Sequence, residues 1–396
     1  MASMLKQLGP LVGMNLQTLP SRKGSSSVIV IGIAGVVAVL VFVLAIATGF
    51  HHTLADSGRL DRAIILRGGS DAELSSNLTR ADLDSVVSQP SIRKTADGKP
   101  AASQEIVNVV NLPKMDTGTD ANVTLRGVGL KMTDVRPELK IVEGRMFRPA
   151  VRELIAGVGA AKQFKGLTIG NVLHFRNADW TVTGLFSTNG DVHESELLAD
   201  VDTVGSSLEY GGTISSIIVL LDSPASFPQF KDALTTDPRL KVDVQREPEY
   251  YAAQSKGITK FINIFGTVIG VIMAVGALFG ALNSMYSAVG TRTVEIATLR
   301  AIGFGATPVL LSVMIEALLL SLLGGAIGAA LAWSMFNGYS VSTLGGAFAQ
   351  VVFQLNVSLR LIVTGIVWAC AIGLIGGFFP ALRAARAPVV EALRAG

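Results

Sequence analysis

The residues of this sequence that could take part in catalysis are few and widely separated. The four histidines are His51, His52, His174 and His193, and none has a cysteine, carboxylate or serine partner at the spacing of a metal site or a catalytic triad. The nucleotide-binding pattern G-x-x-x-x-G-K-[ST] does not occur, so any ATP hydrolysis that this protein uses is expected on another chain. We therefore predict no catalytic residue, no metal site and no cofactor on this chain.

Glu316 is the one charged residue in an apolar segment that runs from 308 to 333. An ionised carboxylate inside a membrane helix costs about 2.5 to 3.5 kcal/mol on insertion scales, so its presence needs a reason. One interpretation is a polar contact to a neighbouring helix, or to Arg292 or Arg300, that couples the position of the helix to the cytoplasmic side. The other is a carboxylate close enough to the interface to stay hydrated.

A short polar insert, residues 291–303, joins two long apolar segments. Its pattern interleaves apolar with charged residues, namely Val294, Ile296, Ala297 and Leu299 with Arg292, Glu295 and Arg300. This pattern favours a short amphipathic helix parallel to the membrane, whose apolar face would dock a cytoplasmic partner. The alternative interpretation is a solvated connecting loop.

The elements that must position these residues are four apolar segments long enough to cross a membrane. They span residues 27–50, 258–290, 308–334 and 359–382, and at about 1.5 Å per residue each crosses a hydrocarbon core of roughly 30 Å. Hydrophobic residues make up 49% of the chain and charged residues only 16%, which excludes an ordinary soluble protein. The first segment could also belong to a cleaved signal peptide, but its length favours an uncleaved helix.

Residues 51–257 have a different character, because they are charged and contain short runs that alternate with period two. The predicted strands are 63–67, 105–112, 122–128, 172–176, 180–186 and 214–221. Predicted helices cover 79–87, where Thr79 can cap with Asp82 three residues on, and 227–234. A hairpin is expected to turn at 177–179. We expect one α+β domain, or two lobes, outside the membrane plane.

A stalk is predicted where this domain meets the second apolar segment. Residues 248–289 contain few helix breakers, and as one helix they would be about 63 Å long, twice the hydrocarbon thickness. The first half of that helix would then stand outside the membrane, and residues 51–60 could extend the first span in the same way. The fold class is therefore an integral membrane α-helical bundle of four transmembrane helices, with a large extracytoplasmic α+β domain inserted between helices 1 and 2.

The orientation follows from the lysines and arginines of the short segments. Residues 1–26 read as an amphipathic helix in the inner headgroup region or, alternatively, as a disordered leader. This leader, the 291–307 segment and the 383–396 tail all carry basic residues, whereas the short outer loop at 335–358 carries none. The positive-inside rule then places both termini and the insert in the cytoplasm. The formal charge of +3 gives no argument for nucleic-acid binding, and the single cysteine, Cys370, excludes an intrachain disulfide.

Glycine pairs spaced by four residues recur in the last three apolar segments. Such pairs permit close approach of membrane helices and favour a packed, dimeric bundle. The glycines in question are Gly266, Gly270, Gly276, Gly280, Gly324, Gly328, Gly373 and Gly377.

Several of these motifs together resemble a known family. RTVEIATLRAIG at 292–303, IEALLLSLLGGAIG at 315–328 and PALRAARAPVVEALR at 380–394 are similar to the FtsX-like/MacB-like permeases of ABC transporters, the mechanotransmission type. VEGRMF at 142–147 and WTVTGLF at 180–186 resemble the periplasmic core domain of that family. The resemblance covers nearly the whole chain. Unlike the macrolide exporter of the family, this sequence is expected to have no fused nucleotide-binding domain.

The resemblance implies a multi-pass permease of the bacterial plasma (inner) membrane that works as a homo- or heterodimer with a separate cytoplasmic ABC ATPase. ATP and Mg would bind to that ATPase. The loop after the second span would be the coupling helix that docks on it, with residues Arg292, Thr293, Glu295, Ile296, Leu299 and Arg300. Membrane lipids and a periplasmic adaptor, lipoprotein or hydrolase are the further partners that the family implies; nucleic acid is not.

Two functions are compatible with this resemblance. The first is a permease subunit that couples ATP hydrolysis to movement of the extracytoplasmic domain, for efflux or for extraction of a hydrophobic or amphipathic substrate such as a lipid or lipoprotein. The alternative is an FtsX-type signalling subunit that activates an extracytoplasmic cell-wall hydrolase without transport. Fold analogy alone does not separate them.

Overall fold

The chain divides into two compact units. The structure is a computed structural model, and it describes residues 7, 9–14, 17, 23–55, 57–344, 350–386, 388 and 389. One unit, here the helical unit, comprises residues 1–48, 261–339 and 355–396. The other, here the sheet unit, comprises residues 49–260 and 340–354.

Long apolar helices build the helical unit. Numbered along the whole chain, its helices are α1 (Lys23–Ala55), α7 (Glu247–Thr291), α8 (Thr293–Ala301), α9 (Ala306–Phe336) and α10 (Leu359–Arg386). Among the described residues, four helices are long and apolar enough to cross a membrane, namely α7, α9, α10 and the 26–54 part of α1. The last residues of α1 and the first part of α7 belong to the sheet unit, so each of these two helices has residues in both units.

Helix α7 is continuous over 45 residues. At 1.5 Å per residue it is about 68 Å long, so it agrees with the single long helix expected for 248–289. Pro248 lies in its first turn, where the missing N–H costs no helical hydrogen bond.

The sheet unit is built around a ten-stranded mixed sheet. Its strands are β1 (Arg62–Arg67), β2 (Ala102–Pro113), β3 (Asp120–Val128), β4 (Lys140–Gly144), β5 (Glu153–Gly157), β6 (Val172–Phe175), β7 (Ala178–Ser187), β8 (Glu196–Asp200), β9 (Ser216–Leu220) and β10 (Val242–Arg246). Short helices cover it, namely α2 (Arg80–Val87), α3 (Met132–Val135), α4 (Val158–Gln163), α5 (Val201–Ser207) and α6 (Phe227–Thr236). The strand order is β10-β1-β9-β2-β3-β8-β5-β7-β4, with β6 paired to β7.

The centre of this sheet contains two parallel pairs, β3 with β8 and β5 with β7, and the remaining pairs are antiparallel. Strands β5 and β8 are buried at every position, because helices and loops cover both faces of the sheet there. The apolar core includes Trp180, which is fully buried and stacks on Phe175 at 5.6 Å between ring centroids.

All six predicted strands exist in the sheet unit, with shifts of a few residues at their ends. The capping box is present as expected, since Thr79 accepts from the Asp82 amide and its own amide donates to the Asp82 carboxylate at 2.8 Å. The hairpin turn lies one residue earlier than expected, at Arg176 and Asn177, which both have positive φ. Strands β4, β5, β8 and β10 were not predicted.

The segment between α9 and α10 differs from the outer loop that the sequence suggested. It contains two antiparallel strands, β11 (Ser340–Leu344) and β12 (Gln350–Gln354), which belong to the sheet unit. The Val352 amide donates to the Ser195 hydroxyl at 2.8 Å, and the Gln163 side chain donates to the Ser342 hydroxyl. The uncharged sequence suggests a loop because these short strands also depend on contacts with Gln163 and Ser195, which are distant in sequence.

The expectations for the two chain ends fall largely outside the described residues. Of residues 1–26, only 7, 9–14, 17 and 23–26 are described, and all of these are helical. Of the tail at 383–396, residues 383–386 continue α10, and beyond them only 388 and 389 are described.

Candidate functional site

The polar insert after α7 forms the nine-residue helix α8. Ile296 and Ala297 are buried on one side, whereas Val294 is 43% exposed. Gly303 ends the helical segment with φ of 107°, a conformation that favours glycine, and α9 begins three residues later. The insert is therefore a helix with one buried and one exposed face.

Arg292 links α8 to the carboxylate inside α9. Its guanidinium lies 3.0 Å from Glu295 and 3.7 Å from Glu316, and both Arg292 and Glu316 are more than nine-tenths buried. An opposite charge at this distance offsets part of the desolvation cost of a buried carboxylate. The geometry agrees with a polar contact of Glu316 to Arg292 and not with a hydrated carboxylate.

The remaining residues expected in the coupling helix lie in or beside the same contact. The Thr293 hydroxyl donates to the Gly290 carbonyl at 2.8 Å, which helps to close the turn between α7 and α8. Leu299 packs against the apolar core of the helical unit, and Arg300 is half-buried in the last turn of α8. Their role in coupling stays a prediction.

Six of the eight glycines predicted to permit helix packing lie against a neighbouring helix. They are Gly266, Gly270, Gly324 and Gly328, which face α1, and Gly373 and Gly377, which face α9. Around Gly276 and Gly280, by contrast, no described atom of a neighbouring element lies within 4 Å of the position that a Cβ would take. One glycine pair of α7 is therefore uncovered in the described part of the chain.

A cluster of buried charged residues in the sheet unit was not found from the sequence. We call it the ionic cluster; its members are the acids Glu73, Glu105, Glu196 and Glu247 and the bases Arg62, Arg126, Arg136 and His193. They come from β1, β2, β3, β8, α7 and the loops between, so up to 185 residues separate partners along the chain. No local pattern could have signalled it.

Arg126 is the centre of one half of the ionic cluster. Its Nη1 donates to Glu73 and to Glu105 at 2.7 Å each, and its Nε donates to Glu196 at 2.8 Å. Burial by itself lowers the pKa of Arg126, but the three carboxylates raise it well above its ordinary value. The hydroxyl of Ser216 adds a hydrogen bond to Glu73 at 2.6 Å.

The other half of the cluster holds Glu247, the first residue of α7. Arg62 donates to Glu247, and Arg136 approaches the same carboxylate at 3.5 Å. Arg136 also donates to Glu105, so it joins the two halves of the cluster. Burial raises the pKa of Glu105, but Arg136 and Arg126 hold it below its usual range.

His193 has polar partners that the sequence analysis, which considered only metal and triad spacings, did not identify. Its Nδ1 lies 2.9 Å from Glu196, and its Nε2 lies 3.3 Å from the Tyr251 hydroxyl. Burial by itself lowers the pKa of His193, but the Glu196 carboxylate and other nearby acids raise it to about 9. Its imidazole is therefore protonated at neutral pH, and four cations balance four carboxylates in the cluster.

Two of the other histidines also have polar neighbours. His174 lies 2.7 Å from Asp179 on an exposed hairpin, and the Nδ1 of His51 lies 3.3 Å from the Ser255 hydroxyl. Among the described residues, neither arrangement includes a third member that would complete a triad. Within the described residues, no group of three or more histidines, cysteines or acids is placed to hold a metal ion.

Comparison with known families identifies the chain. A model of the MacB-like periplasmic core domain matches residues 26–237, more than half of the chain, and a model of the FtsX-like permease C-terminal region matches residues 267–389. The chain is an ABC transporter permease of the FtsX-like/MacB-like family. This confirms the resemblance drawn from its motifs. The permease is a membrane protein, and its sheet unit is an extracytoplasmic domain of the periplasmic core type.

The curated relatives of the permease are named macrolide export ATP-binding/permease proteins. MacB of Psychrobacter arcticus is 25% identical over 333 residues, which cover 80% of this chain and 48% of the relative. MacB 2 of Yersinia pestis is 36% identical over 135 residues, which cover 34% of this chain and 19% of the relative. The permease spans about half the length, or less, of these relatives.

Solved structures with a similar fold come from extracytoplasmic domains. The periplasmic region of MacB from Actinobacillus actinomycetemcomitans aligns with a TM-score of 0.36 and 18% identity, covering 48% of this chain and 90% of that one. The extracellular domain of the transporter YknZ from Gram-positive bacteria gives a TM-score of 0.36 and 17% identity, covering 46% and 99%. Scores this low add nothing to the family assignment.

The two matched regions contain most of the site residues of the permease. Helix α8 and Glu316 lie within the FtsX-like region, and the cluster members from Arg62 to Glu196 lie within the periplasmic core domain. Glu247 lies between the two matched regions. It is the residue through which α7 enters the ionic cluster.

The stability of the permease is expected to fall between pH 6.5 and pH 9. Because the pKa of His193 rises from an ordinary 6.5 to about 9 on folding, its proton stabilises the folded state fully below pH 6.5. That contribution, on the order of 3 kcal/mol, is lost as the pH rises through the folded pKa. Melting temperatures in detergent across this pH range test it. If His193→Gln has the same pH dependence as the parent, the assignment to His193 is wrong.

Proposed function

We propose that this permease works with a cytoplasmic ABC ATPase on a separate chain, which docks on α8. Movement driven by ATP would pass from α8 through α7 to the sheet unit. The purpose would be export or extraction of a hydrophobic or amphipathic molecule. Relatives that are named macrolide exporters and contain an ATP-binding part support this choice of energy source and substrate class.

The exposed face of α8 is the observation that carries the proposal. The side chain of Glu295 is 56% exposed, Val294 next to it in the sequence is 43% exposed, and Ile302 just beyond the helix is 70% exposed. Exposed apolar side chains and one exposed carboxylate on a short helical segment suit a pocket on a partner protein. Behind this face, the buried Arg292–Glu316 contact holds α8 to α9, so force on α8 would move the bundle.

The orientation needed for this docking is supported by the distribution of basic residues. Arg292 and Arg300 lie in the α8 segment, and the segment 334–358 has no lysine or arginine. The positive-inside rule favours α8 and both chain termini in the cytoplasm. Since α7 has one end in the extracytoplasmic sheet unit and crosses the membrane, its other end would reach the ATPase.

A second permease subunit is part of the proposal. Only 17% of the apolar part of α7 is buried against the rest of the chain, compared with 39 to 44% of the apolar parts of the other three spans. The uncovered pair Gly276 and Gly280 lies in the same helix and would let the α7 helices of two subunits approach closely. Whether the two subunits are identical follows from the subunit masses in the purified complex.

Substitution of the exposed α8 face is expected to release the ATPase while the permease stays folded. Glu295→Lys and Ile302→Asp should each weaken co-purification of the ATPase about tenfold or more, since a wrong charge at the centre of an interface costs roughly 2 kcal/mol. Ile302→Asp is needed because Glu295 also contacts Arg292, so its replacement disturbs α8 itself. Affinity purification from the native membrane, with mass spectrometry and an ATPase assay, measures the effect.

Glu143→Lys is the matched control for these variants. It makes the same charge reversal at an exposed position of β4 in the sheet unit and should leave the ATPase bound. Normal co-purification and normal coupled activity of both α8 variants would refute the docking role. ATPase activity of the reconstituted complex that rises with added macrolide or lipid supports transport, and unchanged activity with all such compounds contradicts it.

A further inference from the structure

The start of α7 is attached to the sheet unit by polar contacts along one face of the helix. The residues that make these contacts are Glu247, Tyr250, Tyr251, Gln254 and Ser255, which follow the i, i+3, i+4, i+7, i+8 spacing of a single helical face. All five lie in the sheet unit. This face therefore contacts the domain through hydrogen bonds and charges at every turn.

These contacts reach separate parts of the sheet unit. The Tyr250 hydroxyl accepts from the Glu73 amide at 3.1 Å, and the Gln254 side chain donates to the Asp71 carbonyl at 2.9 Å. Glu247 contacts Arg62 and Arg136, as described above. Hydrogen bonds require particular distances and angles, whereas apolar surfaces slide and repack at a smaller cost. A polar face of this kind fixes both the rotation of α7 about its axis and its position along the sheet.

His193 and Glu247 are the members of the ionic cluster where the helix and the sheet meet. The His193 Nε2 lies 3.9 Å from Glu247. The titratable groups that surround His193 are Asp191, Glu196, Glu105 and Arg136 from the sheet side and Glu247 and Tyr251 from α7. Within the ionic cluster the four cations and four carboxylates balance when both residues keep their charges, and loss of one charge alone breaks that balance.

We propose that the ionic cluster is the joint that fixes α7 to the sheet unit, with Glu247 and His193 as its positioning residues. A rigid joint passes a rotation or shift of α7 to the sheet, and a loose joint absorbs it. The proposal rests on the proposed function, because it concerns how movement of α7 reaches the extracytoplasmic domain. It assigns a role to residues that take no part in docking the ATPase.

The joint is tested by a distance measured within the sheet unit. Spin labels at Lys256→Cys on α7 and Thr235→Cys on α6, both exposed, in a Cys370→Ala background, report the position of α7 relative to the sheet. The full chain in lipid nanodiscs should give one narrow distance distribution. His193→Gln and Glu247→Gln should each broaden it, because each leaves one buried charge without a counter-charge.

The double variant and the pH separate a charge-based joint from simple loss of packing. His193→Gln with Glu247→Gln leaves three cations and three carboxylates, so the distribution should narrow again. In the parent, raising the pH above 9 should broaden the distribution, and in His193→Gln it should not. Glu249→Gln, on the same helix but 64% exposed, is the control and should change nothing. Unchanged distributions in both single variants, or a double variant as broad as either, would overturn the joint.

Coupling is measured on the same variants with the ATPase present. Variants with a broadened distribution should keep the ATPase bound but lose its substrate stimulation by about 2- to 30-fold. If they keep full stimulation, the joint has no part in transmission, although the proposed function stands. If the parent itself binds no ATPase, the proposed function fails, and the distance distributions still decide whether the joint exists.

Discussion

Arg126→Met is expected to unfold the sheet unit or to lower its melting temperature by about 6 to 20 °C. The substitution leaves Glu73, Glu105 and Glu196 buried without their shared cation, and breaking a buried ion pair in this way costs about 3 to 5 kcal/mol. That loss is a large fraction of a total stability of roughly 5 to 15 kcal/mol. Thermal unfolding of the full chain in detergent, with limited proteolysis of the sheet unit, measures it.

Arg239→Met is the matched control for this prediction. Arg239 also binds a carboxylate, Asp237 at 2.7 Å, but its side chain is 83% exposed. An exposed pair contributes about 0 to 1 kcal/mol, so the control should unfold close to the parent. If Arg126→Met and Arg239→Met shift the melting temperature equally, the ionic cluster is hydrated in solution and contributes little to stability.

Gly328→Leu is expected to separate α9 from α1 and to abolish a stable helical unit. A Cβ at Gly328 would lie within 3.0 Å of three backbone atoms of Ala34, and backbone atoms cannot turn aside as a flexible side chain can. Overpacking of this kind costs about 1 to 3 kcal/mol and often more. The measurement is the fraction of protein that stays monodisperse on size exclusion after heating in detergent.

Gly276→Leu makes the same change in another membrane helix, where no described atom of a neighbouring element lies within 4 Å of the added Cβ. This variant should keep the heat resistance of the parent's helical unit. If a second permease subunit packs on α7 as proposed, Gly276→Leu should also lower the mass of the purified complex, because the two subunits would separate. Equal heat resistance of Gly328→Leu and Gly276→Leu would contradict the packing of α9 on α1.

The membrane spans and the α8 helix could be predicted from the sequence because their signals are local. A run of more than twenty apolar residues excludes most alternatives to a membrane helix, whatever it packs against. The capping box at Thr79 and Asp82 is equally local, since both partners lie within one turn. Glu316 stood out because a carboxylate in an apolar segment requires a nearby partner, and the structure places Arg292 there.

The unpredicted strands have a physical reason in common. Strands β5 and β8 have only five residues each, are buried on both faces and include a parallel pairing each, so they lack the alternation that marks a half-buried strand. Strands β11 and β12 follow a membrane helix and pair with each other, and they also contact Gln163 and Ser195 of the sheet unit. A short strand depends on such contacts, and for these four strands they include residues that are distant in sequence.

The sequence by itself determined the four apolar spans, the polar insert between α7 and α9 and the family of the chain. Only the tertiary structure decided which glycines face a helix, because Gly276 and Gly328 occur in the same motif yet differ in their neighbours. The structure alone also decided that Arg62, Arg126 and Glu247 share one buried site. A charged residue looks the same in sequence whether it is solvated or buried, and only the fold brings its counter-charge within hydrogen-bond distance.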